Sequence, residues 1–261
     1  MTALSRTTNT SGEFAGWVFG SVGMVIFAGS LPATRAAVLG FDPMFLTAAR
    51  ASIAGVIALL VLVLGRSRLP ERRIFLSLAL VALGVVVAFP LFTALALRTV
   101  TAAHSLIFVG LLPLSTAIWA ALRCGERPAP AFWLFSLAGA AMVTGYALTQ
   151  GAGQMSGADL YLLLAVALCG LGYAEGGRLA REMDGWRVVC FALVLALPVM
   201  LVSALALRPD SFSGIPGAAW LGLGYVSLFS MLIGFVFWYR GLAIGGIAAI
   251  GQLQLVQPFI G

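Results

Sequence analysis

The chain contains no lysine, and charge of either sign is scarce: only 9% of its 261 residues are charged. A soluble domain carries about 25% charged residues to cover its water-facing surface. With 61% hydrophobic residues and a mean hydropathy of +1.06, this chain cannot cover such a surface, which excludes a water-soluble globule. Histidine occurs once, as His104, and the three cysteines, Cys124, Cys169 and Cys190, form no CxxC pair or metal spacing. That excludes a disulfide framework and a His/Cys metal centre. No GxxxxGK[ST] loop occurs, so ATP is not expected to drive the protein directly, and no cofactor is expected. The net charge of +6 invites a nucleic-acid partner. The arginines, however, stand singly between apolar runs, where the positive-loop rule of membrane proteins accounts for them.

What is present is a succession of apolar runs, each close to the roughly 20 residues needed to cross a bilayer. They cover 14–33, 43–64, 75–97, 102–122, 131–149, 159–179, 188–207, 217–239 and 243 to the end. The expected fold is therefore all-α and integral to the membrane. The linkers, such as RSRLPERR, RCGERPAP and QGAGQMSGAD, are short and turn-like. The first run follows a short polar tail and is longer than a signal-peptide core, so it reads as a retained helix. If the N-tail and alternate loops share one side, that side holds Arg6, Arg66, Arg68, Arg72, Arg73, Arg123, Arg127, Arg178, Arg181, Arg187 and Arg240, against Arg35, Arg98 and Arg208 on the other. The excess places the N-terminus in the cytoplasm. A bacterial inner membrane is the expected location.

A shift of 145 residues superimposes two weak copies. FTALALRTVTAAHSLIFVGLLP at 92–113 falls on FWYRGLAIGGIAAIGQLQLVQP at 237–258, and helix boundaries coincide under the same shift. The expected organisation is a tail at 1–13, a first five-helix copy at 14–150 and a second at 156–261. An odd number of crossings makes the second copy enter the membrane from the opposite side, the inverted repeat found in secondary transporters.

The stretch GLLPLSTAIWAALRCGERPAPAFWLFSLAGAAMVTGYAL at 110–148, with Pro43 and Arg50 in the second run and GQLQLVQPFIG at the end, resembles the EamA-type transporters of the drug/metabolite transporter superfamily. The resemblance covers essentially the whole chain. It implies a ten-helix bundle of two inverted five-helix repeats, with Gly125 and Glu126 as the family's Gly-Glu motif. It also implies a role among exporters of amino acids, nucleosides, drugs and other small metabolites. Nine of the ten helices are expected in this sequence. Gly261 maps onto Thr116, within the fourth helix of the first copy, and the expectation is a longer native reading frame ending in a tenth helix, the alternative being an unusual nine-helix member.

Several residues are candidates for the work. Arg50 lies about 9 Å into its helix, where a charge costs roughly 2.5–3.5 kcal/mol on insertion scales; it reads either as an anion clamp facing a cavity or as a structural arginine. Pro113 and Pro258 occupy matching places, and interrupted helices at corresponding positions point to a transport site. The ordinary reading of each is a packing kink. Gln254 and Gln257 fall about 60° apart round a helix and share a face beside Pro258. Trp17 and Trp119 sit deep enough to line the same cavity. The expectation is that Arg50, Trp17, Gln254 and Gln257 face one central space. For proton coupling, the candidates are Glu175 and His104. Glu175 has Arg178 and Arg181 close by as alternative ion-pair partners, and His104 is near the outer membrane surface. Glu126 sits between Arg123 and Arg127, which favours a helix-end or ion-pair role. Glycine stripes, Gly12, Gly16, Gly20 and Gly172, Gly176, read as close helix packing.

The function expected is secondary export of a small metabolite by alternating access. A passive facilitator or lipid flippase is the alternative. A membrane-embedded enzyme would need clustered acids, His or Cys at a membrane surface, which this sequence does not offer. The partners expected are a small-molecule substrate and the lipid bilayer, no nucleic acid, with a homodimer open as an assembly.

Overall fold

The computed structural model describes residues 10–149 and 157–260, all of them helix or connecting turn. The helices are α1 Thr10–Ala28, α2 Ser30–Val38, α3 Pro43–Leu64, α4 Arg72–Ala96, α5 Ala102–Val109, α6 Leu112–Cys124, α7 Pro130–Thr149, α8 Ala158–Leu179, α9 Gly185–Ala206, α10 Gly217–Gly245, α11 Ile247–Gly251 and α12 Gln257–Ile260. Among the described residues, six spans are long and apolar enough to cross a membrane: Gly12–Val38, α3, α4, α8, α9 and α10.

Local chemistry explains most boundaries. Asp42 accepts a hydrogen bond from the Met44 amide at 2.9 Å, and Pro43 opens α3, a side-chain cap followed by a residue with no N–H to lose. The first run does not stop at residue 33. It bends at Gly29 and continues as α2 to Val38. Pro32 lacks the N–H that would reach Ala28, and the Tyr225 hydroxyl donates to the Ile26 carbonyl at 2.7 Å, inserting into the ladder just where it opens. The helix also starts earlier than expected, at Thr10, inside the stretch read as a polar tail.

The fourth and ninth runs are interrupted, and more sharply than a kinked helix would be. α5 ends at Val109 and α6 starts at Leu112, so Pro113 sits in the first turn of a new helix. α11 begins at 247 and α12 at 257, the positions of α5 and α6 shifted by 145. Pro258 lies in the backbone of α12, and its side chain is outside the described residues. The shift also relates two π-wound stretches, Ala82–Ala88 in α4 and Val226–Ile233 in α10. Such turns concentrate at functional sites, because the wider winding loosens the backbone ladder.

Packing joins one copy to the other. α1 lies on α10, α3 on α9, and α8 crosses both α4 and α6. Between helices in lipid there is no hydrophobic driving force, so close van der Waals contact and interhelical hydrogen bonds supply the cohesion. Glycine provides the approach. A Cβ on Gly16 would stand 2.7 Å from the Gly245 backbone, and one on Gly84 would stand 3.1 Å from the Gly172 backbone. The two glycine stripes therefore do not face each other. Gly16 packs against α10 of the second copy and Gly172 against α4 of the first, whereas Gly176 meets the Tyr239 ring of α10 in its own copy. At the centre, Phe27, Tyr173, Phe235 and Trp238 form an aromatic cluster.

Candidate functional site

A cavity lies where the broken and π-wound helices meet. Its walls include Ser30, Arg50, Ser230, Gln254 and Gln257, with Phe27, Tyr173 and Phe235. Arg50 is buried, and one terminal nitrogen donates to the Val226 carbonyl at 3.1 Å and to Ser230 Oγ at 3.3 Å. Both partners belong to the π-wound stretch of α10. Arg50 Nε is buried and has no hydrogen-bond partner among the described residues, and no ion pair there includes Arg50. Gln254 is fully buried beside Tyr173, and neither amide atom makes a hydrogen bond within 3.5 Å among the described residues. Gln257 donates to the Phe27 carbonyl at 3.1 Å, and Ser30 donates to Ser230 at 2.8 Å. The free space at the centre is about 30 Å³, room for a water or two and too little for a metabolite.

Arg50, Gln254 and Gln257 thus share a cavity. Trp17 does not: it is exposed on the outside of the bundle, a correction to its expected place. Trp119 also lies away from the cavity, its indole N–H donating to the Ala167 carbonyl of α8 at 3.0 Å. α1 and α6 are apolar on most faces, so their periodicity could not tell an inward from an outward tryptophan.

Polar contacts between the copies lie on both sides of this cavity. At one end His104, which follows the Thr101 cap of α5, meets Asp159 of α8 at 2.6 Å; both side chains are buried. Asp159 escaped notice in the sequence because it sits at the end of a polar linker and reads as an ordinary helix-start acid. Apolar rings close the same end, Phe41 against Trp220 and Phe45 against Phe212. At the other end Glu175 accepts from Arg123 at 2.7 Å and from Arg178 at 3.1 Å, and Arg178 also donates to Ser77 at 2.7 Å. Arg178 is the expected partner, whereas Arg181 turns to Glu126 instead. Arg123 is brought to Glu175 only by the crossing of α6 over α8.

The Gly-Glu pair has a structural role that follows from backbone conformation. Gly125 ends α6 with φ 67, a left-handed turn that glycine adopts without strain. The next residue, Glu126, then reaches the start of α11 in the other copy, accepting from the Ile247 and Ala248 amides at 3.1 and 2.9 Å. α11 needs this outside cap. Gly246 has no side chain, whereas its counterpart Thr101 caps α5 directly. Glu126→Ala is expected to cost about 1–2 kcal/mol. It should speed hydrogen exchange at the Ile247 and Ala248 amides; unchanged exchange there would refute the cap.

The EamA-like transporter family profile matches residues 14–148 and 156–261. Over 258 residues the chain is 57% identical to the Bacillus subtilis (strain 168) protein named Uncharacterized transporter YdeK, covering 99% of this chain and 88% of that one. It is 24% identical over 219 residues to Uncharacterized transporter YyaM of the same organism, covering 77% and 69%. A crystal structure superposes with a TM-score of 0.71 at 19% identity, over 94% of this chain and 86% of the other. That likeness concerns the fold.

Proposed function

This chain belongs to the EamA-like transporter family of multi-pass membrane proteins, and on that premise we propose that it is a secondary transporter exporting a small metabolite by alternating access. The observation that carries this reading is the small cavity at the helix breaks, mostly apolar but holding Arg50 and Gln254, flanked on both sides by contacts between the copies. The moving units are the copies at 14–150 and 156–261, set in a bacterial inner membrane with the N-terminus and Glu175 on the cytoplasmic side. Parting of the Glu175 and Glu126 contacts opens the cavity inward; parting of His104 from Asp159 opens it outward.

Export against a gradient needs a driving ion. We assign the binding of that ion, a proton, to His104, whose ring is buried against Asp159 of the other copy at 2.6 Å. Glu175 is committed to two guanidinium groups and serves the inner closure.

The test is transport of a labelled metabolite panel in proteoliposomes holding the full chain, with and without a pH gradient. A carrier shows counterflow, in which unlabelled internal solute draws label inward against its gradient. Transport without counterflow for any transported solute would make the protein a passive facilitator. His104→Gln is expected to remove the dependence on the pH gradient. Full dependence in a His104→Gln/Glu175→Gln double variant would end the proton assignment for both residues.

A further inference from the structure

We propose that the central cavity binds a monoanion: a single carboxylate carried on a small apolar or aromatic body. This rests on reading the cavity as the transport site, and the test below separates the two.

Arg50 and Gln254 carry the argument. A purely structural buried arginine would be expected to have its five donors distributed over carbonyls. Here one nitrogen makes both hydrogen bonds, and the buried Nε makes none among the described residues. A buried cation without a counter-charge is costly, and a bound carboxylate supplies both the charge and planar acceptors suited to the guanidinium fork. One cation matches one negative charge. A phosphate-like dianion would call for a second cation, and Arg50 is the one charged side chain lining the cavity among the described residues. α6 starts at the same wall with Leu112, and the beginning of a helix favours negative charge.

Gln254 adds a second requirement. Its buried amide offers a donor and an acceptor, neither with a hydrogen-bond partner among the described residues, which suits a polar substituent close to the carboxylate. Apart from Ser30, Ser230 and Gln257, whose side chains already bond within the protein, the rest of the wall is apolar or aromatic. Phe27 and Tyr173 stack at 6.3 Å between ring centres, Phe235 meets Tyr173 at 5.9 Å, and Leu31, Val85, Phe89 and Val109 add to it. The ligand therefore has one charged end and an apolar remainder. The cavity admits it only when the copies part.

The experiment uses the purified full-length chain and three matched probes: 3-phenylpropionate, its neutral amide 3-phenylpropanamide, and 2-phenylethylphosphonate. Affinities are read by calorimetry, and counterflow of labelled 3-phenylpropionate is measured in proteoliposomes. The carboxylate is expected to bind at least about tenfold more tightly than the amide. Arg50→Gln should shrink that ratio to below about twofold, while Arg50→Lys keeps part of it, because the charge remains and the fork is lost. Equal affinity for carboxylate and amide, tighter binding of the phosphonate, or an undiminished ratio in a folded Arg50→Gln protein would each overturn the proposal. If Arg50→Gln does not fold, the probe series on the wild type and Arg50→Lys still decides. Arg50-dependent carboxylate binding without counterflow would support the site and remove the transport reading. Counterflow of other solutes with none of the three probes binding would do the reverse.

Discussion

Replacing Arg123 and Arg178 together by glutamine is expected to destabilise the protein by about 3–5 kcal/mol, far more than replacing the glutamate they share. The asymmetry comes from exposure. The Glu175 side chain is 1% exposed, whereas Arg123 is 42% and Arg178 30% exposed. With both arginines gone, a carboxylate stays buried without a counter-charge. With Glu175→Gln, the two guanidinium groups turn to water or to Glu182, which Arg178 already meets at 3.0 Å, and the loss is about 1 kcal/mol, as for a part-exposed pair. The triple variant should recover most of the stability lost by the double. Thermal unfolding and the monodisperse fraction in detergent check this. A Glu175→Gln protein as unstable as the double arginine variant would refute the argument.

A second large effect is expected at the crossing of α1 and α10. A Cβ on Gly241 would lie 2.6 Å from the Gly20 nitrogen, 2.8 Å from its Cα and 3.1 Å from the Gly16 carbonyl oxygen. Every obstacle is backbone, so no rotamer change relieves it. Gly241→Val must separate the helices, at a cost above the usual 1–3 kcal/mol of overpacking, and most of the protein should fail to reach a monodisperse folded state. Gly224 lies in the same helix, with nothing within 4 Å of its would-be Cβ. Gly224→Ala should therefore fold normally, since alanine is the better helix former by about 1 kcal/mol. If the two substitutions behave alike, the glycine crossing does not hold α1 to α10.

Composition and apolar run length alone were enough to read a polytopic helical membrane protein, and the run at 43–64 coincides with α3. The reason is local. In hydrocarbon every backbone N–H and C=O must be bonded within its own segment, so an apolar stretch of about 20 residues has few alternatives to a helix. The internal repeat was legible for the same reason, since boundaries are local and survive when identities fade. The matching prolines announced a disturbance in the fourth and ninth runs, although a proline does not say whether a helix bends or stops.

The arrangement of the faces was decided by the tertiary structure. Apolar residues look the same whether they touch lipid or another helix, so Trp17 could not be told from an inward-facing ring, and it points outward. The π-wound stretches carry no clear local signature, yet one of them supplies both partners of Arg50. The pairs His104–Asp159, Arg123–Glu175 and Glu126 with the start of α11 join residues 52 to 122 positions apart. Such contacts depend on which helices cross and at what depth, and that is settled by glycines permitting close approach and by polar groups seeking partners across the bundle.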